Sequence, residues 1–189
     1  RMAGDERRLQ ILQVAMRLFS ENGFIGTTTK KIAEAAGVSE ATVFKHFANK
    51  EELYADILDH RACNHGLEHP FAKVAEQVES KDDFGVFYGM ALNGLNKHEE
   101  DQEFIRLLLY SALEGHELSR MFFKSFVVEM YELLSSYIRQ RQEDGAFRKI
   151  EPKIVVRSFV GMMIHHSLNN TLWDKEQKLL KISNEDAAR

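Results

Sequence analysis

The chain has 189 residues, 44% hydrophobic and 29% charged, with a formal net charge of −4, enough for one large domain or a small one joined to a larger. Its lone cysteine, Cys63, excludes an internal disulfide framework and fits a reducing cytoplasm. No run of 18 apolar residues and no basic-then-apolar leader is present, so neither a membrane span nor a signal peptide is expected.

Only 2 prolines, and no alternating Val/Ile/Thr runs between turn residues, predict helices throughout. The charge is uneven. Residues 1–50 hold 8 Lys/Arg against 5 Asp/Glu, whereas the other 139 hold 17 against 24. A basic head on an acidic body is the distribution expected of a nucleic-acid reader with a separate regulatory part.

In chain order, with Arg1 set aside, an amphipathic helix is predicted over 5–22, with Ile11, Leu12, Ala15, Leu18 and Phe19 on one face. Asn22-Gly23 ends it, since both tolerate a left-handed cap. Thr28 caps a second helix that runs to Ala36 with Ile32, Ala35 and Ala36 inward. Gly37 permits a tight turn, Val38 plugs the core beneath it, and Ser39 caps a short third helix. Asn49 and Glu52 form a capping box for a fourth, over 50–64. Residues 65–70 are a linker. Longer helices follow over 82–98, 102–114, 117–143 and 152–171, and a last helix begins at Ser183 and is expected to be cut short six residues later.

The stretch 28–50 offers what a groove-reading helix pair requires. Gly37 makes the turn, and Ala33, Ala36 and Ala41 let two short helices cross closely. Glu40, Ala41, Thr42 and Lys45 can reach base edges, while Thr28, Thr29, Lys30, His46 and Lys50 can hold phosphates. Each residue alone has an ordinary reading, as a cap or a solvated face. Together with the Ala-Gly-Val turn they point to DNA.

Residues 9–55 resemble the DNA-binding domain of TetR-family transcriptional regulators, of the TetR/AcrR type. The resemblance rests on Ile11-Leu12, Ala15-Leu18-Phe19, Glu21-Asn22-Gly23-Phe24, Thr27-Thr28, Ile32-Ala33, Ala36-Gly37-Val38-Ser39, Thr42-Val43-Phe44, His46-Phe47 and Asn49-Lys50-Glu51-Glu52-Leu53. It implies an all-α fold: a three-helix helix-turn-helix domain over 1–49, a connecting helix over 50–64, and a helical effector-binding and dimerisation domain over 65–189. About nine helices are expected in all. It also implies base contacts by Lys30, Glu40, Ala41 and Thr42, and phosphate or groove contacts by Thr28, Thr29, Phe44, Lys45, His46 and Lys50. Phe44 departs from the tyrosine common at its position, so a phenolic bond to phosphate is replaced by ring packing on sugar or a thymine methyl. Glu40 either accepts from a cytosine N4 group or rejects wrong sequences by repulsion.

The resembling family acts as a two-state switch. An effector in the body changes the spacing of two heads in a homodimer, which must fit adjacent major grooves about 34–36 Å apart. The aromatic and Met-rich helices 82–137 read mostly as core. Tyr88, Asn93, Tyr110, His116 and Phe126 are the candidates for lining a partly apolar effector pocket. Helix 152–171 is apolar on more than one side and needs a cover beyond its own subunit. Ser158, Gly161, His165 and Leu168 are the candidate dimer contacts, and the resemblance adds a four-helix bundle there.

His60, Cys63, His65 and His69 carry metal-ligand atoms, but Gly66 and Pro70 break the spacing, so a polar linker is expected instead of a metal. No cofactor is called for. An enzyme is the alternative reading, but no nucleophile motif, phosphate loop or ligand signature supports it. A nonspecific DNA binder would be strongly basic, unlike this chain of pI about 6.1.

Overall fold

The computed structural model describes residues 4–64, 72–176 and 178–189, and every regular element among them is helical. In chain order these are α1 (Gly4–Gly26), α2 (Thr29–Ala36), α3 (Glu40–His46), α4 (Lys50–Asn64), α5 (Ala75–Glu79), α6 (Asp83–Glu100), α7 (Gln102–Leu113), α8 (Glu117–Phe122), α9 (Val128–Glu143), α10 (Pro152–Leu168) and α11 (Asn184–Ala188). A 3-10 turn precedes α5, and π turns join α8 to α9 and extend α10.

Two compact units are formed: Arg1–Leu67 with Glu103–Phe123, and Glu68–Gln102 with Lys124–Arg189. In the first, α1 buries Ile11, Leu12, Ala15 and Phe19 where it packs on α2, which buries Ile32, Ala33 and Ala36, and on α4, which buries Leu53, Tyr54 and Ile57, while α3 packs on α2 and buries Val43. Each large apolar side chain so removed from water stabilises the unit by roughly 1.5–3 kcal/mol. The regular part of α1 stops at Asn22, because Gly23 takes φ 71° and ψ 177°, outside any helix.

The second unit packs α6, α9 and α10 around Val86, Met90, Leu134, Tyr137, Ile138 and Val156, with Phe87, Phe147 and Phe159 at its edge. A polar clamp closes one end. Arg141 holds both oxygens of Asp83 at 2.7 and 3.0 Å and also Asp144, while the Tyr137 hydroxyl donates to Asp83 at 2.6 Å. The Arg141 guanidinium holds the Asp83 carboxyl below the usual carboxylate range.

The single helix expected over 117–143 is interrupted by the five-residue π turn Phe123–Val127. The short α5 lies between the linker expected over 65–70 and the helix expected from 82, where no element is expected, because five residues are too few to show a helical period.

Candidate nucleic-acid interface

The turn between α2 and α3 is made by two residues. Gly37 sits in the left-handed region (φ 64°, ψ 36°), and the Val38 N–H returns to the Ala33 carbonyl at 3.0 Å. These bonds satisfy carbonyls that the end of α2 would otherwise leave open. Ser39 then caps α3, its Oγ accepting from the Thr42 N–H at 3.2 Å. Val43 and Phe47 are buried, which turns the opposite side of α3 outward. That side carries Ala41 and Lys45, with Phe44 at its edge and Glu40 at the N-terminal end of the helix, all four exposed, while Thr42 and His46 are half-buried.

Thr28 caps α2 by accepting from the Lys31 N–H at 3.2 Å, and Lys30 is exposed beside it. Thr29 reaches across the pair, its hydroxyl donating to Glu40 Oε1 at 2.5 Å. The Thr42 hydroxyl lies 2.8 Å from Ser39 Oγ, so it is engaged in the cap. Lys50 turns back into its own unit. Its ammonium donates to the Phe24 carbonyl at 2.8 Å and the Thr27 carbonyl at 3.0 Å, and stands 3.9 Å above the Phe24 ring. At most one of its three donors is left for a phosphate.

The same α1–α2 corner is gripped from the far end of α7. Glu114 accepts from the Phe24 N–H at 2.8 Å and the Ile25 N–H at 3.3 Å, and the Tyr110 hydroxyl donates to the Glu21 carbonyl at 3.3 Å. His116 caps α8, its Nδ1 accepting from the Leu118 N–H, and its ring lies 4.4 Å from Phe24 and 4.6 Å from Tyr54. Burial lowers the His116 pKa and pushes the Tyr54 phenol up to about 12. A Cβ on Gly23 would run into the Glu114 carboxylate. Glu114 gives no sign of this role in the sequence, because its partners lie about 90 positions away and are backbone N–H groups that any residue would present.

Of the five effector candidates, Tyr110 and His116 therefore belong to this grip in the first unit. Tyr88, Asn93 and Phe126 are half-buried in the second, where Tyr88 stacks on Phe84 at 5.5 Å. A cleft of about 390 Å³ in the first unit is lined by Leu12, Met16, Arg17, His60 and Glu103 among others, and by none of the five.

The four candidate dimer residues align along α10. Ser158, Gly161 and His165 are exposed and Leu168 is half-buried, with Ile154 60% and Met162 67% exposed on the same side. The opposite side of α10 carries the buried Val156 and Ser167. A polar network, unforeseen from the sequence, ties α11 to α6 and α10. Asn184 donates to Asn96 at 2.9 Å and Glu99 at 2.7 Å, and its oxygen lies 3.1 Å from His166 Nε2. Nearby, His98 Nδ1 lies 2.8 Å from Ser167 Oγ, and burial lowers its pKa. Of the metal-ligand set, His65, His69 and the Cys63 side chain fall outside the described residues, and no cluster of three or more such groups occurs among those described.

Comparison with known proteins agrees with this geometry. Residues 11–57 match the family described as "Bacterial regulatory proteins, tetR family". The chain is 47% identical over 70 residues to the uncharacterized HTH-type transcriptional regulator YvkB of Bacillus subtilis (strain 168), covering 37% of this chain and 34% of that protein. The chain thus spans about a third of the length of that curated relative. The TetR family transcriptional regulator PfmR from Thermus thermophilus has a similar fold, with a TM-score of 0.71 at 23% identity over 95% of this chain and 92% of that one. AibR, solved in complex with isovaleryl coenzyme A and operator DNA, gives 0.65 at 22% identity over 97% and 94%.

Proposed function

We propose that this chain, a TetR-family DNA-binding transcriptional regulator, is a homodimeric repressor of a palindromic operator and that a small-molecule effector releases it. One observation carries the reading. The capped helix pair α2–α3 buries Val43 and Phe47 and turns Glu40, Ala41, Phe44 and Lys45 outward, as a helix entering a major groove must.

In this reading Lys30, Glu40, Ala41 and Thr42 meet base edges. Thr28, Phe44, Lys45, His46 and the remaining donor of Lys50 meet phosphates and sugars, while the Thr29 hydroxyl, expected from the sequence to meet a phosphate, is bonded to Glu40 instead. The exposed stripe of α10 through Ser158, Gly161 and His165 packs on its copy in a second subunit, which covers Ile154 and Met162. An apolar stripe on a helix is removed from water most simply by a like stripe related by a twofold axis.

The effector reading draws on two observations. AibR was solved with an acyl coenzyme A, and Tyr88, Asn93 and Phe126 in this chain combine ring surface with polar tips suited to a partly apolar molecule. A cytoplasmic location is in keeping with action on DNA.

A gel-shift titration with the promoter region of its own gene, at two salt concentrations and with excess unrelated DNA, tests the reading. A shift that survives the competitor and weakens with salt is expected. Binding that the competitor abolishes would favour a nonspecific binder, and no shift at low salt would reject DNA binding.

A further inference from the structure

We propose that Glu40 is the base-specificity residue of the recognition helix, that Thr29 positions it, and that the group it reads is a cytosine amino group in each half-site. The inference rests on the DNA-binding reading above and deepens it.

Glu40 opens α3 and is exposed at the N-terminal end of the helix, one turn before the buried Val43. A carboxylate there is costly beside a polyanion unless it takes a hydrogen from the DNA. Among the described residues no cation neutralises it. Its neighbour is the Thr29 hydroxyl, which donates to Oε1 at 2.5 Å. Thr29 is half-buried in the first turn of α2, so the bond splints the side chain of α3 to the preceding helix. A long, exposed glutamate would otherwise spend most of its time away from any one direction, and fixing one oxygen lowers the entropy lost on reading a base.

The hydrogen on Thr29 Oγ1 is used in this bond, so Thr29 meets a phosphate only as an acceptor, which a phosphate cannot satisfy. Its hydroxyl therefore serves Glu40 and not the backbone. Oε2 is left as a pure acceptor. In the major groove guanine offers N7 and O6 and thymine offers O4, all acceptors that repel a carboxylate. Adenine sets its N6 donor beside the N7 acceptor. Cytosine alone offers the N4 donor with no acceptor on its own major-groove edge, so the splinted carboxylate selects it. Simple repulsion of wrong sequences, with no base accepted, would not require the splint.

The test is selection of binding sites by the full chain from a duplex library randomised across the promoter fragment, with each variant run in parallel. The wild type is expected to enrich cytosine at one position per half-site by roughly tenfold or more. Glu40→Ala should lose that preference alone and keep the rest of the site. Glu40→Gln should move it towards adenine, whose N6 and N7 a carboxamide can bond together. Thr29→Val should blur the preference at the same position, and Thr29→Ser, which keeps the hydroxyl, should restore it. A Glu40→Ala site with its cytosine intact overturns the proposal while leaving DNA binding standing, as does higher affinity without altered preference. A Thr29→Val site identical to wild type overturns the positioning role. Failure of the wild type to enrich any site would reject the DNA-binding reading itself, and this proposal with it.

Discussion

At the scale of single residues, the DNA-binding head spends several of its polar groups on itself. Lys50 is the clearest case, since its ammonium holds the Phe24 and Thr27 carbonyls and the Phe24 ring. Lys50→Ala should therefore lower stability by about 1–2 kcal/mol, read as a fall in melting temperature, and weaken binding to every DNA sequence alike. Thr42→Ala should leave most of the affinity and relax preference at one base pair, seen by titrating single-substituted duplexes; like behaviour of the two variants would contradict the separate roles given to them.

At the scale of elements, the caps are what the sequence announces. Thr28, Ser39 and Asn49 each bond a backbone N–H three positions ahead, a local event that residue type and spacing reveal. The box at α4 differs in one detail: Glu52 bonds the N–H of Ala48, one residue before the cap. Contacts across long separations are not legible in this way. The grip of Glu114 on the α1–α2 corner and the Asn184 network both join residues more than 80 positions apart, and their side chains look like ordinary surface residues in a linear reading. His116 reads as a pocket residue from its polarity alone, whereas its ring and Nδ1 serve a cap and an aromatic cluster. Glu114→Ala should leave two N–H groups of the corner unpaired and lower the melting temperature by an amount equivalent to about 1–3 kcal/mol. Titration adds a second element-level expectation. Burial favours neutral His98, so its folded pKa lies below its ordinary value of 6.5, and the stability it supports is present above that value and lost as pH falls. His98→Gln keeps a partner for Ser167 without a proton to gain, so its melting temperature should fall less steeply than wild type below about pH 6.5.

At the scale of the whole molecule, the all-α class and the helix-turn-helix head follow from composition, caps and the Ala-Gly-Val turn, while the body is legible only as helices. Its core depends on packing across distant residues that no local pattern encodes. The exposed stripe of α10 is visible in the sequence as a helix apolar on too many sides, and it carries a prediction about assembly: Met162→Asp should turn a dimer in sedimentation equilibrium into a monomer with its fold intact by circular dichroism. That variant should also lose most operator affinity, since two heads then bind independently. Hydroxyl-radical footprinting of the full chain on promoter DNA tests the central claim most directly. The account predicts two protected patches on one face of the duplex, their centres separated by about 10–10.5 base pairs or a multiple of it. A single patch, or uniform protection without a pattern, would contradict it.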